Sequence, residues 1–387
     1  MDKFARMLPA LLRRTDVVLE LRDSRLPLTS INETLEGAIQ KWRRERGRIA
    51  ATSGLPAPAS YGAATPCERI VVFNKRDLVP EWGLEPFRRA MLSKFPDHRL
   101  FFASWHRPRD IKALNEMLVS VAKEHPHAPE LNVLVVGMPN VGKSTLLNAL
   151  RNIGIPGPTA KALRTSSQPG LTRAISTRLK LSIDPLVYAY DSPGVMLPFL
   201  GRGDKGAERG VKLALIAGIK EGLYDVEALA AYLLYRLNVL NPRSPAYLQL
   251  LPDTATATAD VLEFLDQLAA RLGMLKRGGE RDLSRAAVWF VKWWRDEGGL
   301  ASASAPLSPA SQTRQGWGFD FEWTVDARSG EDAPAMVQRK MEECIERYLV
   351  ERREGAGVSV TQEKKKAREE KIAKRMAKTR ARLVGRR

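Results

Sequence analysis

The chain has 387 residues, 44% of them hydrophobic, with a net charge of +18 and a sequence pI of about 10.0. At roughly 100–200 residues per domain this length implies two or three domains, and the charge implies a polyanionic partner, nucleic acid or an anionic membrane surface. The two cysteines, Cys67 and Cys344, exclude a disulfide framework or a zinc cluster and fit a reducing compartment; no run of about 18 apolar residues is present to span a bilayer.

The first residues, MDKFARMLPALLRRTDVVLELRD, lack the apolar core of a secretory signal. They read as a helical stretch running into a buried strand that starts at Asp16 and ends in a polar loop. Residues 41–68 pass from a basic cluster (Lys41, Arg43, Arg44, Arg46, Arg48) into an Ala/Pro/Ser/Gly-rich stretch, and read as an inserted, mobile loop. Ile70–Phe73 is a second strand, 84–95 a helix, Leu100–Phe102 a third strand and 110–124 another helix, before a linker at His125–Pro129. Leu131–Val136 is a strand that leads into a glycine-rich turn and a helix from Lys143. Residues 152–171 read as a flexible loop, and strands follow near 174–182 and 186–190. Alternating strands and helices predict a mostly parallel sheet covered on both faces.

From about 207 the pattern is helical. Leu213, Leu215, Ile216 and Ile219 mark one helix, Leu229, Tyr232, Leu233 and Leu237 another, with two more over 257–272 and 283–296. Trp289, Trp293 and Trp294 fall close together on the last of these and read as core or interface residues rather than base-stacking platforms. The tail from 361 carries twelve Lys or Arg against three Glu, half the net charge of the chain. It reads as an arm that binds phosphates with little base preference, with a membrane-surface contact as the other reading. The histidines, His98, His106, His125 and His127, form no metal-binding pattern.

Three short motifs carry chemistry. Gly137-Met138-Pro139-Asn140-Val141-Gly142-Lys143-Ser144 fits the phosphate-binding loop G-x-x-x-x-G-K-[ST], between a strand and a helix as that motif requires. Its glycines let backbone N–H groups turn inward around phosphates. Lys143 reaches the β/γ-phosphates, the Ser144 hydroxyl suits Mg²⁺, and Thr145 lies where the helix dipole favours phosphate. Asn74-Lys75-Arg76-Asp77 fits N-K-x-D and supplies the base: Asp77 accepts from guanine N1–H and the 2-amino group, Asn74 bonds the base edge, and the Lys75 stem lies over its face. Asp191-Ser192-Pro193-Gly194 fits D-x-x-G, with Asp191 reaching Mg²⁺ through water and the Gly194 N–H touching the γ-phosphate. Thr172 is the candidate switch threonine that closes on Mg²⁺, with Thr165 as its competitor. Ala103-Ser104 is a weaker fifth motif, offering backbone N–H groups to the guanine O6. Lys143 and Thr172 are the candidate catalytic residues.

The motif order is unusual. In Ras-like GTPases the phosphate loop comes first, whereas here residues 74–77 and 103–104 precede it. The switch region then leads directly into the helical part, so nucleotide state can act on it. The predicted fold is α/β: a P-loop GTPase domain with circularly permuted motif order over 1–205, a small all-helical RNA- or ribosome-binding domain over 206–299, a linker and extension over 300–360, and the basic tail, 361–387.

With this order, the chain resembles the circularly permuted ribosome-assembly GTPases of the bacterial ribosome biogenesis GTPase A type and their mitochondrial branch. DVVLELRDSRLPL (Asp16–Leu28) resembles their first strand and D-A-R-x-P element, and NKRD, GMPNVGKST, PGLT and DSPG stand in the family's order. The resemblance covers roughly residues 1–298. In register, Met1 takes the place of the methionine in the family's Phe-Pro-Gly-His-Met segment, and the histidine before it is absent from this sequence. Val195 stands where Ras-like enzymes carry the water-orienting Gln. Both departures imply feeble intrinsic hydrolysis. The resemblance also implies activation by K⁺ with Asn140 as its ligand, a large ribosomal subunit and its rRNA as partner, and the mitochondrial matrix as compartment, with a peripheral contact on the inner membrane. Two other functions fit the sequence: a GTP-gated RNA-binding scaffold with little hydrolysis, and a membrane-associated signalling GTPase.

Overall fold

The computed structural model describes residues 2–52, 67–157, 162–163, 178–193, 200, 203–297, 314–324 and 333–355. The candidate residues Thr165, Thr172 and Gly194, together with Val195 and the basic tail, lie outside these.

Six strands form one sheet: β1 (Val17–Asp23), β2 (Glu68–Asn74), β3 (Arg99–Ala103), β4 (Leu131–Gly137), β5 (Leu179–Ser182) and β6 (Val187–Asp191), in the order β3-β2-β1-β4-β6-β5. All pairs are parallel except β5 with β6, which is an antiparallel edge. The parallel strands β2, β3, β4 and β6 therefore end on the same edge, which is where each of the sequence motifs begins. Helices α3 (Leu84–Lys94), α4 (Pro108–Glu124) and α5 (Lys143–Gly154) follow β2, β3 and β4 as crossovers.

Central position explains the composition of β1. All seven of its residues are buried, Glu20 and Arg22 included. Glu20 and Arg22 share a face with Val18, against α1 (Asp2–Leu12) and α2 (Glu33–Thr52), and are neutralised there. Arg22 Nε donates to Glu20 at 2.8 Å, and Arg69 of β2 pairs with both Glu20 and Glu36 of α2. Burial raises the Glu20 carboxyl, but the two guanidinium groups outweigh it and hold it below the usual range. Arg69 Nη1 also meets His98 Nε2 at 3.2 Å, and burial beside Arg69 holds that imidazole down to about 4, so it accepts this bond as the neutral ring.

The expected loop over 41–68 is corrected in part: α2 runs to Thr52 and β2 starts at Glu68, leaving only 53–66 outside the described residues. The first part of the basic cluster, Lys41, Arg43 and Arg44, is on the solvent side of an amphipathic helix. Leu35, Ile39 and Trp42 recur at helical spacing and are buried, while Lys41, Arg43 and Arg44 face water. Proximity to a Pro/Gly-rich stretch hid that spacing.

The helical part comprises α6 (Gly203–Leu215), α7 (Val226–Leu240), α8 (Val261–Arg271) and α9 (Leu283–Glu297). Ile216 and Ile219 do not belong to the first of these. The helix stops at Leu215 because Ala217 turns left-handed (φ 56°), with Gly218 N–H donating to Leu213 O at 2.8 Å and Ala217 N–H to Ala214 O at 3.0 Å. Arg295 of α9 caps the same end, donating to the carbonyls of Leu215 and Ala214 at 2.7 Å each. One apolar cluster runs without a break from Val133, Leu146 and Ala189 of the sheet domain to Leu215, Leu233, Phe264, Phe290 and Trp294.

The 300–360 stretch is more than linker and extension. It contains a hairpin, β7 (Arg314–Trp317) with β8 (Phe321–Thr324), and the helix α10 (Ala333–Gly355). Trp317 is fully buried, stacks on Phe87 of α3 at 5.1 Å and donates its indole N–H to Pro80 O at 3.0 Å. Met336, Val337, Met341 and Ile345 of α10 complete the same cluster, covering α3 and the outer strands. The Ser/Ala/Pro-rich approach to the hairpin masked these elements in the sequence.

Candidate functional site

The loop after β4 is shaped by its glycines. Gly137 (φ 149°) passes so close to β1 that a Cβ there would stand 2.4 Å from Leu21 O. Gly142 is left-handed (φ 90°), and a Cβ would stand 2.6 Å from Asn74 Nδ2 and 2.8 Å from the Trp105 ring. Neither position admits a side chain without displacing a neighbour. Lys143, in the first turn of α5, folds back over the loop and donates to Met138 O at 2.7 Å and Gly137 O at 3.1 Å. Burial pulls this ammonium down to about 8 against the upward pull of Asp191. A buried cation spending its protons on backbone carbonyls is poised to exchange them for an anion.

Ser144 and Asp191 meet across the β4–β6 pair, with the hydroxyl donating to the carboxylate at 2.6 Å. Burial raises the Asp191 carboxyl, and Ser144 and Lys143 partly offset this. A part-buried pair of hard oxygen donors beside a phosphate-type loop suits a small divalent cation.

The segment after β2 is fastened to that loop. Asn74 donates its amide to Val141 O at 2.7 Å, and Lys75 Nζ donates to Asn140 O at 3.0 Å. Lys75 is left-handed (φ 61°), and its ammonium also pairs with Asp23 at 3.1 Å. Asp23 is fully buried; burial works against its charge, but Arg25 and Lys75 together hold its carboxyl well below the usual range. The D-S-R triplet at the end of β1 thus braces the N-K-R-D turn from behind. Asp77 lies in the short turn Arg76–Leu78 and is half-buried. Ala103 ends β3 next to Asn74, with which it pairs in the sheet, and Ser104 follows it.

Two residues at this site had no assigned role in the sequence reading. Asp110, in the first turn of α4, takes two bonds of 2.6 Å from Arg76 and one of 3.1 Å from Ser104 N–H, tying the two base-side segments together. An acid after Pro108 at a helix start was its only local signal. Trp105 leans on Gly142, a contact between segments 37 residues apart that no local pattern reveals. Asn140 adds a link in the other direction: it is left-handed (φ 58°) and its amide donates to Ala217 O at 2.8 Å, joining the phosphate loop to the end of α6. Thr145 follows Ser144 in the first turn of α5. The structure thus brings together Asn74, Lys75, Arg76, Ala103, Ser104, Asn140, Val141, Gly142, Lys143, Ser144 and Asp191, all on one edge of the sheet.

A family model described as 50S ribosome-binding GTPase matches residues 132–237, from β4 into α7. Mitochondrial GTPase 1 of Schizosaccharomyces japonicus is 32% identical over 302 residues, covering 73% of this chain and 81% of that one. This chain belongs to the family of circularly permuted ribosome-binding GTPases that includes mitochondrial GTPase 1. The Schizosaccharomyces pombe protein of the same name is 30% identical over 287 residues, covering 72% and 80% of the two chains. Mitochondrial ribosome-associated GTPase 1 of Mus musculus is 29% identical over 243 residues, covering 62% and 65%. Membership implies GTP binding. No helix among the described residues is long and apolar enough to cross a membrane.

Proposed function

We propose that this chain binds and hydrolyses GTP to drive assembly of the large subunit of the mitochondrial ribosome. The observation that carries this reading is the joint at the phosphate loop. Its Asn140 and Val141 carbonyls hold the guanine-reading segment, and the Asn140 side chain holds the helical domain. Names of the related proteins, which place them in mitochondria and on ribosomes, support the setting.

The motif order is then a circular permutation of the Ras-like arrangement, tolerated because the site depends on which strands are neighbours. Asn74 and Asp77 read the guanine edge, the Lys75 stem covers its face, Arg76 is locked to Asp110, and Ala103 and Ser104 present backbone N–H groups to O6. Residues Asn140–Thr145 cradle the phosphates. Lys143 exchanges its carbonyl partners for β/γ-oxygens and stabilises charge on the phosphoryl group as water attacks phosphorus and the bond to the β-phosphate oxygen breaks. Ser144 and Asp191, with Thr172 from the sequence, would hold Mg²⁺, which would neutralise phosphate charge; the Gly194 N–H, also from the sequence, would touch the γ-phosphate. Asn140 is the proposed K⁺ ligand. With Val195 in place of a water-orienting Gln, intrinsic turnover is slow and the ribosomal subunit accelerates it.

The helical domain and the basic tail bind rRNA, and the compartment is the mitochondrial matrix, with the tail able to touch the inner membrane surface. GTP turnover measured in K⁺ and in Na⁺, with and without large subunits, tests the reading. Stimulation by both is expected, and turnover indifferent to both would overturn it.

A further inference from the structure

Three consecutive residues of the phosphate loop are each engaged from the base side. Asn140 O accepts from Lys75, Val141 O accepts from Asn74, and Gly142 lies against the Trp105 ring. Lys75 and Trp105 therefore reach the loop on either side of Asn74, the residue that meets the base edge. Asn74 is fully buried, and its Oδ1 has no hydrogen-bond partner among the described residues.

Trp105 is also held in place. It follows Ser104 at the end of β3, is half-buried, and donates its indole N–H to His106 Nε2 at 2.6 Å. One ring edge rests on the loop glycine and the nitrogen is tied to the neighbouring imidazole, so the plane of the ring is set before any ligand arrives. A flat aromatic surface fixed beside a base-reading amide is suited to a purine, since a π-face stacks on a base at little entropic cost.

We propose that Trp105 is a base-stacking residue of the nucleotide site, closing guanine against the Lys75 stem, with His106 positioning its ring. This rests on the guanine-nucleotide reading above and names one more residue that touches the base. Stacking contributes about 1–3 kcal/mol per base, which is about 5- to 150-fold in Kd.

The test measures GDP and inorganic pyrophosphate binding to the full chain as wild type, Trp105→Phe, Trp105→Leu and Trp105→Ala, with circular dichroism to confirm folding. GDP should weaken at least about fivefold for Leu and Ala and by less than about threefold for Phe, while pyrophosphate binding stays unchanged. Trp emission should change on adding GDP to wild type, and that change should shrink in Trp105→Phe. Leu behaving like Phe, or pyrophosphate weakening in step with GDP, would show that the indole merely supports the loop and would overturn the proposal. Wild type that binds pyrophosphate but no guanine nucleotide would instead overturn the functional reading beneath it.

Discussion

Asp110 shows how one side chain can hold two segments of a candidate site together. It is nearly buried, and its two oxygens are spent on Arg76 and on the Ser104 backbone. Replacing it with Ala frees both base-side segments at once and strands a charged partner. We expect Asp110→Ala to cost about 1–3 kcal/mol of stability in urea unfolding and to weaken GDP by about tenfold in calorimetry. Unchanged GDP affinity would mean that the two segments hold their positions without it. Gly142 is the harsher case: Ala there adds a left-handed side chain on top of Asn74 and Trp105. Gly142→Ala should lose nucleotide binding by more than about a hundredfold, combining strain of roughly 1–3 kcal/mol with displacement of both neighbours.

Among the elements, the β7–β8 hairpin joins parts of the chain that are far apart in sequence. Its Asp320 carboxylate accepts from Leu28 N–H and Thr29 N–H at 2.8 Å each and from the Thr29 hydroxyl at 2.5 Å, all in the loop after β1. Phe319 N–H donates to Arg25 O at 2.9 Å, and Arg236 of α7 pairs with Glu322 and bonds Gly318 O. Arg25 also lies over the Trp294 ring of α9, 4.6 Å from its centroid. The hairpin therefore fastens the loop that braces Lys75 to the helical domain. Asp320→Ala leaves buried donors without partners and should destabilise the protein by about 2–4 kcal/mol, read as a lower urea midpoint. A loss below about 0.5 kcal/mol would show that the hairpin only rests on that loop.

For the whole molecule, the buried charges set the response to pH. Glu20, Asp23 and His98 all have folded-state affinities for protons below their unfolded values. The unfolded chain thus binds more protons in acid, and stability falls as pH falls. His98 acts first, between an unfolded value near 6.5 and a folded value of about 4; the two carboxylates act below that. The unfolding free energy from urea melts should drop between pH 7 and pH 5 by on the order of 1–2 kcal/mol after discounting partial exposure of the ring, and His98→Gln should flatten that interval. The basic tail governs a second whole-molecule property. Deleting residues 361–387 should reduce the slope of log Kd against log salt for RNA by several units; an unchanged slope would assign the RNA contacts to the folded part.

The sequence alone was enough to single out the motif residues that the fold gathers on one sheet edge, because G-x-x-x-x-G-K-[ST], N-K-x-D and a strand-end acid are short contiguous patterns with a local physical cause. It also supported an alternating α/β domain followed by helices, since hydrophobic periodicity is local too. It misread 41–52 and 314–355, where buried positions are interleaved with charge or flanked by Pro, Gly and Ser. It could not pair Glu20 and Arg22 with Arg69 and Glu36, place Asp110 between Arg76 and Ser104, or set Trp105 against Gly142. Those contacts join segments that only strand order brings together, so their energies depend on burial and distance, which the linear chain does not specify.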